Sequence, residues 1–547
     1  MFLLLSLFVA GAAAFGSPRP HIVIMIADDL GWNDVGFHGS DQYPTPNIDA
    51  LAYNGVILNK HYVQQTCSPS RSALMTGRYP IHTSMQGFPI LAAEPNGLPL
   101  DYKILPEYLQ ELGYRTHAVG KWHLGFFRTN YTPLQRGFET HLGYYTGYTG
   151  YYDYMAQVRN GDQIVTGLDA RRNGTVAWDI VGKYSTEVWS QEAVRVIKNH
   201  NPEEPLFLYF AHNAVHASNR GRLLEAPQGR VNSFKYIVDP NRRTFAAMVS
   251  KVDDTIGDLV EALKEKEMLD NTIILFFSDN GAPTTNADFP NWGSNWPFRG
   301  AKETLWEGGV RSPSFIWSAA LQENPRVSNS FIHITDWLPT LYSAAGGDRL
   351  FLPKDIDGVD QWRTIFWDLA SPRDQALLNI NERERSAGII SRLDTPFPTY
   401  WKLIVGTFAN GRFDGVYNDV RSPANPPYDY KKILNSRAYK AINTYSIPAT
   451  KELSMKYLRG QATVGCGNVR QVNDLVPDCR SHPCLFNLDR DPCERLDLAP
   501  NNTDIVQKMY NTLKVYRLGL LAQSNQPLDL PAANPINFNN TWSSWRV

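Results

Sequence analysis

The chain of 547 residues has few cysteines, no excess of charge of either sign and, after its first residues, no long hydrophobic run. Lysine and arginine number 53 against 54 aspartates and glutamates, a formal net charge of -1. This balance argues against a nucleic-acid-binding surface, which needs a marked basic excess. No later stretch reaches the roughly 18 apolar residues of a membrane-spanning helix. With 39 glycines and 36 prolines, the composition is that of a globular protein rather than a collagen or low-complexity chain.

The N-terminal sequence MFLLLSLFVAGAAA is an apolar run that ends in small residues. It predicts a signal peptide over residues 1–16, although the usual basic n-region is missing. Four N-x-Ser/Thr sequons, at Asn130, Asn173, Asn501 and Asn539, fit a glycoprotein of the secretory route. The C-terminal residues carry no retention signal. We therefore predict a secreted or lysosomal protein.

Four of the five cysteines lie in one late stretch, at Cys466, Cys479, Cys484 and Cys493. In an oxidising compartment they can form two disulfides in three possible connectivities. We predict the sequential pairing, 466 with 479 and 484 with 493. Cys67 stands alone far upstream, and composition leaves it either a buried free thiol or a chemically special residue.

Short apolar runs alternate with helical patterns through the first two-thirds of the chain. The predicted strands are His21–Ala27, Tyr114–Val119, Leu206–Phe210 and Thr272–Phe277. The predicted helices are Pro46–Asn54, Ile104–Leu112, Thr186–Asn199, Arg242–Glu267 and Asp336–Ala345. This alternation predicts an α/β fold in which a large mixed, mostly parallel sheet is sandwiched by helices.

After about residue 365 short strands, such as Tyr400–Val405 and Cys484–Leu488, lie among proline- and asparagine-rich loops, and a helix follows at Asp504–Leu521. We predict a large domain over residues 17–365 and a smaller C-terminal α+β subdomain over residues 366–547. Within the large domain, the stretch from Tyr144 to Tyr154 is rich in tyrosine and glycine. We expect a packed loop there, with an aromatic pocket wall as the alternative.

Polar side chains follow three of the predicted buried strands. In strand order they are Asp28 and Asp29, then His212 and His216, then Asp279 and Asn280. Binding sites in open α/β sheets form outside the carboxyl ends of the strands. Carboxylates and an amide make an all-oxygen ligand set, which suits Ca²⁺ or Mg²⁺ better than Zn²⁺. Each pair alone could be a polar turn, but their shared position favours a metal site.

Residues 67–78 read CSPSRSALMTGR, with Pro69 well placed in the first turn of a helix. Cys67 would lie at the helix N-terminus, where free N–H groups and the helix dipole favour an anion. Arg71, one turn along, can reach the same anion. A thiol with a depressed pKa and an inert buried cysteine are the alternatives, and the spacing does not separate them.

The sequence C-S-P-S-R followed by S-A-L-M-T-G-R resembles the signature of the type I sulfatases, C-x-P-x-R with a downstream T-G-R. Further matches to that family are spread along the chain, at residues 120–125 (GKWHLG), 136–138 (RGF), 305–311 (LWEGGVR), 335–340 (TDWLPT), 483–488 (PCLFNL) and 491–492 (DP). The resemblance covers essentially the whole mature chain and is closest to the arylsulfatase B-like group. It implies an alkaline phosphatase-like fold, with the catalytic sulfatase domain over residues 17–365.

In this family a formylglycine-generating enzyme oxidises the signature cysteine to formylglycine, an aldehyde whose hydrate is the nucleophile. The resemblance implies that Cys67 is this residue. It also implies one Ca²⁺ per chain, with the ligands Asp28, Asp29, Asp279, Asn280 and modified Cys67. The implied basic shell around the sulfate consists of Arg71, Lys121, His123, His216 and Lys302. His216 is preferred to His212 because it takes the later position after its strand.

A sulfate monoester is anionic, so the site must cancel charge before an anionic nucleophile can attack sulfur. By resemblance, one hydroxyl of the aldehyde hydrate attacks, and Lys302 or His216 protonates or stabilises the leaving oxygen. His123 then takes the proton of the second hydroxyl, and sulfate leaves as the aldehyde re-forms. The expected substrate is a sulfated sugar of the N-acetylgalactosamine 4-sulfate type or a small metabolite such as an aryl sulfate or glucosinolate. The near-neutral net charge leans slightly toward small substrates.

Two other functions compete with this one. A phosphoester hydrolase of the same superfamily is disfavoured by the full C-x-P-x-R signature. A non-catalytic secreted binding protein with a sulfatase fold would have lost metal or basic positions, and none is lost.

Two features depart from the family: the catalytic domain lacks cysteines for the disulfides of lysosomal members, and His82 stands where several relatives have arginine. Both lie outside the inferred site, so they bear on substrate and compartment rather than on the reaction.

Overall fold

The computed structural model describes residues 19–285, 287–395, 397–444, 450–466 and 476–546. The predicted signal peptide lies outside the described residues. The strands are β1 (His21–Ala27), β2 (Val56–Leu58), β3 (His61–Tyr62), β4 (Arg115–Lys121), β5 (Thr140–Tyr144), β6 (Met155–Asn160), β7 (Gln163–Leu168), β8 (Arg171–Arg172), β9 (Thr175–Val176), β10 (Leu206–Ala211), β11 (Thr272–Ser278), β12 (Ser314–Trp317), β13 (Arg326–Ser328), β14 (Ile332–His333), β15 (Gln375–Asn381), β16 (Ser386–Asp394), β17 (Pro398–Val405) and β18 (Cys484–Asn487). The α-helices are α1 (Pro46–Tyr53), α2 (Cys67–Thr76), α3 (Leu105–Glu111), α4 (Ser185–Asn199), α5 (Gln228–Asn232), α6 (Pro240–Glu265), α7 (Glu307–Val310), α8 (Trp337–Ala344), α9 (Trp362–Trp367), α10 (Tyr430–Leu434), α11 (Arg437–Ile442), α12 (Glu452–Ala462), α13 (Thr503–Leu518) and α14 (Leu530–Ala533).

A mixed sheet of ten strands, in the order β13-β2-β12-β11-β1-β10-β4-β5-β8-β9, forms the centre of the fold. The central strands β11, β1, β10, β4 and β5 run parallel to one another. Every residue of β1, β10 and β11 is buried, because helices cover both faces of the sheet. The predicted fold class is therefore confirmed.

The alternation of side chains along β1 divides the core between the two faces of the sheet. Val23 and Met25 pack toward α1, α4 and α6, whereas Ile22 and Ile24 pack toward α2, α3 and α8. The longest helix, α6, begins two residues before its predicted start because Asp239 caps it by accepting a hydrogen bond from the Arg242 backbone N–H. Among the described residues, no helix combines the length and the apolar character needed to cross a membrane.

A second, antiparallel sheet of four strands, in the order β15-β16-β17-β18, lies beside the first. Helix α13 packs on one of its faces through Ile505, Met509 and Leu513. After this helix the chain returns to the hairpin of β6 and β7, where Thr541 bridges to Leu168 at the end of β7.

The predicted disulfide pairing is wrong. Cys466 bonds to Cys493, and Cys479 bonds to Cys484. Cys484 begins β18, and the extended strand carries the chain away from it before Cys493 is reached, since each strand residue advances the chain by about 3.3 Å. Cys479 lies in the turn just before β18, with its Cα 5.2 Å from that of Cys484. Cys67 is a buried free thiol.

Candidate active site

The predicted site residues come together at the carboxyl ends of the central parallel strands. Asp28 and Asp29 follow β1, Asp279 and Asn280 follow β11, Lys121 ends β4, His123 lies two residues beyond it, and His216 follows β10. Cys67 and Arg71 lie on α2, and Lys302 lies in the loop before α7. This convergence is a consequence of the parallel sheet, which brings the carboxyl ends of its strands to one edge.

Helix α2 fixes the position of Cys67, its first residue. Gly77 ends the helix in the left-handed conformation, with φ of 65°, and its N–H donates to the carbonyl of Ala73. Ser70 anchors the first turn, because its Oγ donates to the backbone carbonyl of Asp279 and accepts from the backbone N–H of Gln64 at 2.9 Å. The predicted placement of Cys67 at the N-terminus of this helix is confirmed, and the structure shows the residue to be buried.

Asp28 and Asp29 have different cationic partners. Lys121 Nζ lies 2.7 Å from Asp28 Oδ2, and Cys67 Sγ lies 3.8 Å from Asp28 Oδ1. Lys302 Nζ lies 2.6 Å from Asp29 Oδ1 and 3.4 Å from Cys67 Sγ. His216 Nε2 lies 3.5 Å from Asp29 Oδ2. Asp29 also has φ of 64°, a conformation uncommon for a non-glycine residue. Cys67 is thus enclosed by two carboxylates and their cations.

The oxygen atoms at this position fit a divalent cation. Asp29 Oδ2 and Asn280 Oδ1 are buried and have no hydrogen-bond partner among the described residues. Ligand atoms of Asp28, Asp29, Cys67 and His216 all lie within 4.8 Å of one another. Buried oxygens without partners are costly unless a ligand satisfies them, and oxygen-rich sets favour hard cations.

Arg71 and Asp279 form a buried ion pair behind the cysteine. Arg71 Nη2 lies 2.8 Å from Asp279 Oδ2, and Nη1 donates to the carbonyl of Lys121 at 3.2 Å and to Tyr209 OH at 3.1 Å. Arg71 therefore fixes Asp279 and the end of β4. Sequence reasoning missed Tyr209, because a tyrosine within an apolar strand has the pattern of a core residue.

The charges around Cys67 shift its titration and that of its neighbours. Burial alone would raise the pKa of the Cys67 thiol, but Lys121 and Lys302 outweigh it and lower the pKa to about 7. Burial would also raise the pKa of Asp29, yet Lys302 and His216 lower it to about 2. Burial would lower the pKa of His216, but Asp29 raises it above its ordinary value. The site thus favours an anion at position 67 and a proton on His216.

His123 has the opposite character. Its Nε2 lies 2.9 Å from the carbonyl of Ile90, so Nε2 carries the proton and donates, which leaves Nδ1 as the acceptor. Nδ1 is buried without a hydrogen-bond partner among the described residues. Burial, and then the charge of Lys121, hold the pKa of His123 well below its ordinary value. A neutral imidazole with a free lone pair suits general base catalysis.

A cavity of 390 Å³ opens onto this cluster. Five of the predicted site residues line it, namely Asp29, Cys67, His123, His216 and Lys302. The other five, Asp28, Arg71, Lys121, Asp279 and Asn280, are not among its lining residues. Of the predicted basic residues, His123, His216 and Lys302 therefore face the cavity. Arg71 and Lys121 lie behind it and pair with Asp279 and Asp28. His212, the alternative to His216, instead contacts Thr255 with its Nε2 at 3.1 Å.

The tyrosine-rich stretch is mostly packed, as predicted. Tyr144, Tyr151 and Tyr154 are buried in the core, but Tyr148 lines the cavity. A side chain at Gly147 would lie 2.8 Å from the ring of His123, so glycine is required there by close approach. The stretch is therefore mostly a packed loop, as expected, and it also contributes an aromatic ring, Tyr148, to the cavity wall.

Sequence reasoning missed most of the cavity wall. The hairpin of β6 and β7 and the loop that contains Phe289 contribute to it, and so does Glu303. The hairpin has only a weak alternation of apolar residues and no chemical motif. Asn291, in the same loop as Phe289, donates to the carbonyls of Asp29 and Val215 at 2.9 and 3.0 Å, again with no sequence signal.

Comparisons with known proteins agree with this geometry. Residues 20–347 match the family described as Sulfatase. The chain is 37% identical to arylsulfatase J of Mus musculus over 538 residues, which cover 98% of this chain and 81% of that protein. It is 33% identical to N-acetylgalactosamine-6-sulfatase of Homo sapiens over 383 residues, 65% of this chain and 67% of that protein. The crystal structure of Ps i-CgsB is similar with a TM-score of 0.70 and 26% identity, over 96% of this chain and 99% of that one.

The chain therefore belongs to the sulfatase family, and it is a type I sulfatase, a sulfuric ester hydrolase. This agrees with the Cys67 signature and with the predicted alkaline phosphatase-like fold.

Proposed function

We propose that the protein hydrolyses sulfate monoesters of carbohydrates and that Cys67, oxidised to formylglycine, carries the nucleophile. The single observation that supports this most directly is the position of Cys67 on the cavity wall, with Lys302 Nζ at 3.4 Å and Asp28 Oδ1 at 3.8 Å from its Sγ. The Sγ atom stands for the oxygen atoms that formylglycine would bear. Once formed, the hydrated aldehyde would supply one hydroxyl as the nucleophile toward sulfur and a second hydroxyl whose deprotonation would allow sulfate to leave.

The residues facing the cavity divide the remaining work. Lys302 brings a cation to the reacting centre and cancels the charge of the incoming sulfate. His123 offers Nδ1 as a base on the same wall. Lys302 and His216 are the two cationic donors that line the cavity beside Cys67, so either can protonate or stabilise the leaving oxygen. Behind them, Lys121 holds Asp28 at 2.7 Å and thereby fixes the acidic cluster.

The proposed cation is one Ca²⁺ per chain, held by Asp28, Asp29, Asp279, Asn280 and modified Cys67. Asp29 Oδ2 and Asn280 Oδ1, which are buried and accept no hydrogen bond from the described residues, support this site. When bound, the cation would polarise the sulfate group and offset its charge.

Removing the metal tests this part of the proposal. Treating the purified protein with EDTA is expected to lower sulfate release at least about tenfold, and added Ca²⁺ should restore it. Ca²⁺ should also raise the unfolding temperature, because a ligand that binds only the folded state stabilises it. In Asp29→Asn that thermal shift should shrink or vanish. An unfolding temperature that does not respond to Ca²⁺ in the unmutated protein would contradict the assignment.

A carbohydrate substrate is supported by the cavity and by the relatives. A volume of 390 Å³ lies within the range of about 300–1,000 Å³ for small-molecule sites, and the walls carry the aromatic rings of Phe88, Tyr148, Phe289 and Phe408. One relative is named N-acetylgalactosamine-6-sulfatase, and Ps i-CgsB has been solved in complex with k-i-k-neocarrahexaose. Aryl sulfates and glucosinolates are the competing substrates.

Sulfate release from three substrates tests the proposed function. The protein, produced in a secreting host and checked by mass spectrometry for conversion of Cys67, is given an aryl sulfate, a glucosinolate and an N-acetylgalactosamine 4-sulfate oligosaccharide. We expect the oligosaccharide to have the highest kcat/KM. A preference for the glucosinolate would correct the substrate class, and no release from any of the three would count against the proposed activity.

We further propose that the protein matures in the secretory pathway, where formylglycine-generating enzyme acts, and is then secreted or lysosomal. The asparagines of all four sequons are exposed, which supports glycosylation. Enzymatic deglycosylation of the secreted protein should lower its mass.

A further inference from the structure

Besides the residues around Cys67, the cavity wall carries a group that we term the outer cluster, formed by Tyr148, Phe289 and Arg220. The ring centroids of Tyr148 and Phe289 lie 5.5 Å apart at an angle of 48°. The Arg220 guanidinium lies over the Phe289 ring, 5.5 Å from its centroid. On its other side, Tyr148 stacks on His216 at 5.7 Å. The outer cluster is therefore continuous with the site around Cys67.

Arg220 is exposed and has no carboxylate partner among the described residues. The other cations of the cavity wall are paired, Arg159 with Asp162 at 3.7 Å and Lys302 with Asp29 at 2.6 Å. A guanidinium presents a planar fork of donors that matches carboxylate and sulfate oxygens. An unpaired guanidinium beside two aromatic faces is thus suited to a ring that bears an anionic group.

We propose that the outer cluster is a subsite for a second sugar ring carrying a carboxylate or a second sulfate. The substrate class is then a sulfated oligosaccharide with an anionic group on the ring next to the scissile ester. This inference rests on the proposed function. Tyr148 and Phe289 would pack against the apolar face of that ring while Arg220 pairs with its anion. A small aryl sulfate would use the site around Cys67 without needing Arg220.

Three substrates and two variants test the subsite. The substrates are a disaccharide with one sulfate ester and a carboxylate on the adjacent ring, the methyl ester of the same disaccharide, and 4-nitrophenyl sulfate. The unmutated enzyme should prefer the carboxylate form by about tenfold in kcat/KM. Arg220→Gln should lose this preference because its KM for the carboxylate form rises. Its kcat/KM for 4-nitrophenyl sulfate should stay within about twofold of that of the unmutated enzyme. Phe289→Leu is the control that leaves the charge of the outer cluster unchanged, and it should lower kcat/KM for both disaccharides by the same factor.

The outcomes separate the subsite from the activity. Equal kcat/KM for carboxylate and ester in the unmutated enzyme, or a preference that survives in Arg220→Gln, would overturn the subsite even though sulfate is released. No release from any substrate by protein with converted Cys67 would refute the proposed function, and the subsite with it.

A different observation concerns the hairpin of β6 and β7, which forms another part of the cavity wall. Its residues in the wall are Ala156, Gln157, Val158, Arg159 and Ile164. The two strands form a sheet of their own, and an isolated two-stranded hairpin is only marginally stable in water. Its position must therefore depend on what packs against it.

The C-terminal segment 530–546 provides that packing. Trp542 is fully buried, and its Nε1 donates to the carbonyl of Ala156 at 3.0 Å. The Leu168 backbone N–H donates to the carbonyl of Asn540, and the Trp542 N–H donates to the carbonyl of Leu168, both at 2.9 Å. The geometry points to Trp542 as a positioning residue that sets the hairpin wall of the cavity from the far end of the chain.

Trp542→Ala, Trp542→Phe and Ile536→Ala test this role, the last being an exposed control in the same segment. Trp542→Ala should raise KM for the anionic disaccharide about tenfold with kcat nearly unchanged. It should also speed trypsin cleavage after Arg159, which is exposed in the hairpin. Trp542→Phe should largely restore both readouts. The role would be overturned if trypsin cleaved Trp542→Ala no faster than the unmutated protein. It would also be overturned if Trp542→Ala changed kcat for 4-nitrophenyl sulfate by as large a factor as KM for the anionic disaccharide.

Discussion

Cys67→Ala is expected to abolish sulfate release, by a factor of roughly 10⁴ or more, and to leave the protein folded. The loss follows from the chemistry, because alanine cannot be oxidised to formylglycine and brings no nucleophile to the cavity. The fold should survive because the polar contacts of the Cys67 side chain are long ones, to Asp28 at 3.8 Å and Lys302 at 3.4 Å. Initial rates on the three-substrate panel measure the first effect, and thermal unfolding measures the second.

A matched control lies on the same helix. The Ser72 hydroxyl is buried in α2 and contacts Thr83 Oγ1 at 3.0 Å, away from the cavity-lining residues. Ser72→Ala, like Cys67→Ala, removes one buried polar atom from the side chain. Its rate of sulfate release should stay within a few-fold of that of the unmutated protein. If Cys67→Ala retained about a tenth of the activity, position 67 would not carry the nucleophile.

The predictions that succeed depend on features local in sequence. β1 and β11 are continuous apolar runs, and a strand buried on both faces requires such a run. The acidic and amide residues at their carboxyl ends could be placed together because parallel strands end at the same edge. Cys67 and Arg71 could be placed on one helix because Pro69 is typical of a first helical turn and the two residues are four positions, about one turn, apart.

What could not be predicted depends on contacts between distant segments. The orientation of Arg71 toward Asp279 depends on the close approach of α2 to the end of β11. The cavity wall at the β6–β7 hairpin depends on a tryptophan from the other end of the chain. The disulfide prediction paired the cysteines in order along the chain and is wrong, because the turn before β18 brings Cys479 to Cys484 and tertiary packing brings Cys466 to Cys493. In each case the local pattern is compatible with several partners, and only tertiary packing selects one.

Lys402 is a further example, because a lysine in a strand ordinarily lies on an exposed face. Here its side chain is fully buried, with Nζ 2.9 Å from Glu307 Oε1 and 2.7 Å from Glu494 Oε1. Tyr62 OH and Arg311 also bond to Glu307 Oε2, at 2.9 and 3.1 Å. The network connects β17 of the four-stranded sheet to the LWEGGVR segment, residues 305–311.

Lys402→Met is therefore expected to lower the free energy of unfolding by about 3–5 kcal/mol at pH 8, because it leaves two carboxylates buried without their shared cation. Urea denaturation measures the loss. Adding Glu494→Gln should recover part of it, since Glu307 keeps Arg311. Lys60→Met, which breaks the partly exposed pair with Asp489, is the control and should cost less than about 1 kcal/mol.

The loss in Lys402→Met should also depend on pH with a definite sign. In the unmutated protein, burial raises the pKa of Glu494 to about 7 despite Lys402, whereas Lys402 and Arg311 overcome burial and lower the pKa of Glu307. Without Lys402 both folded-state pKa values rise: that of Glu494 moves further above its value in the unfolded chain, and that of Glu307 rises from its lowered position. A group with a raised folded pKa adds stability at low pH that is lost as the pH rises. The variant should thus be closer to the unmutated protein at pH 5 than at pH 8, and a loss that is equal at both pH values would show that the buried carboxylates are not its cause.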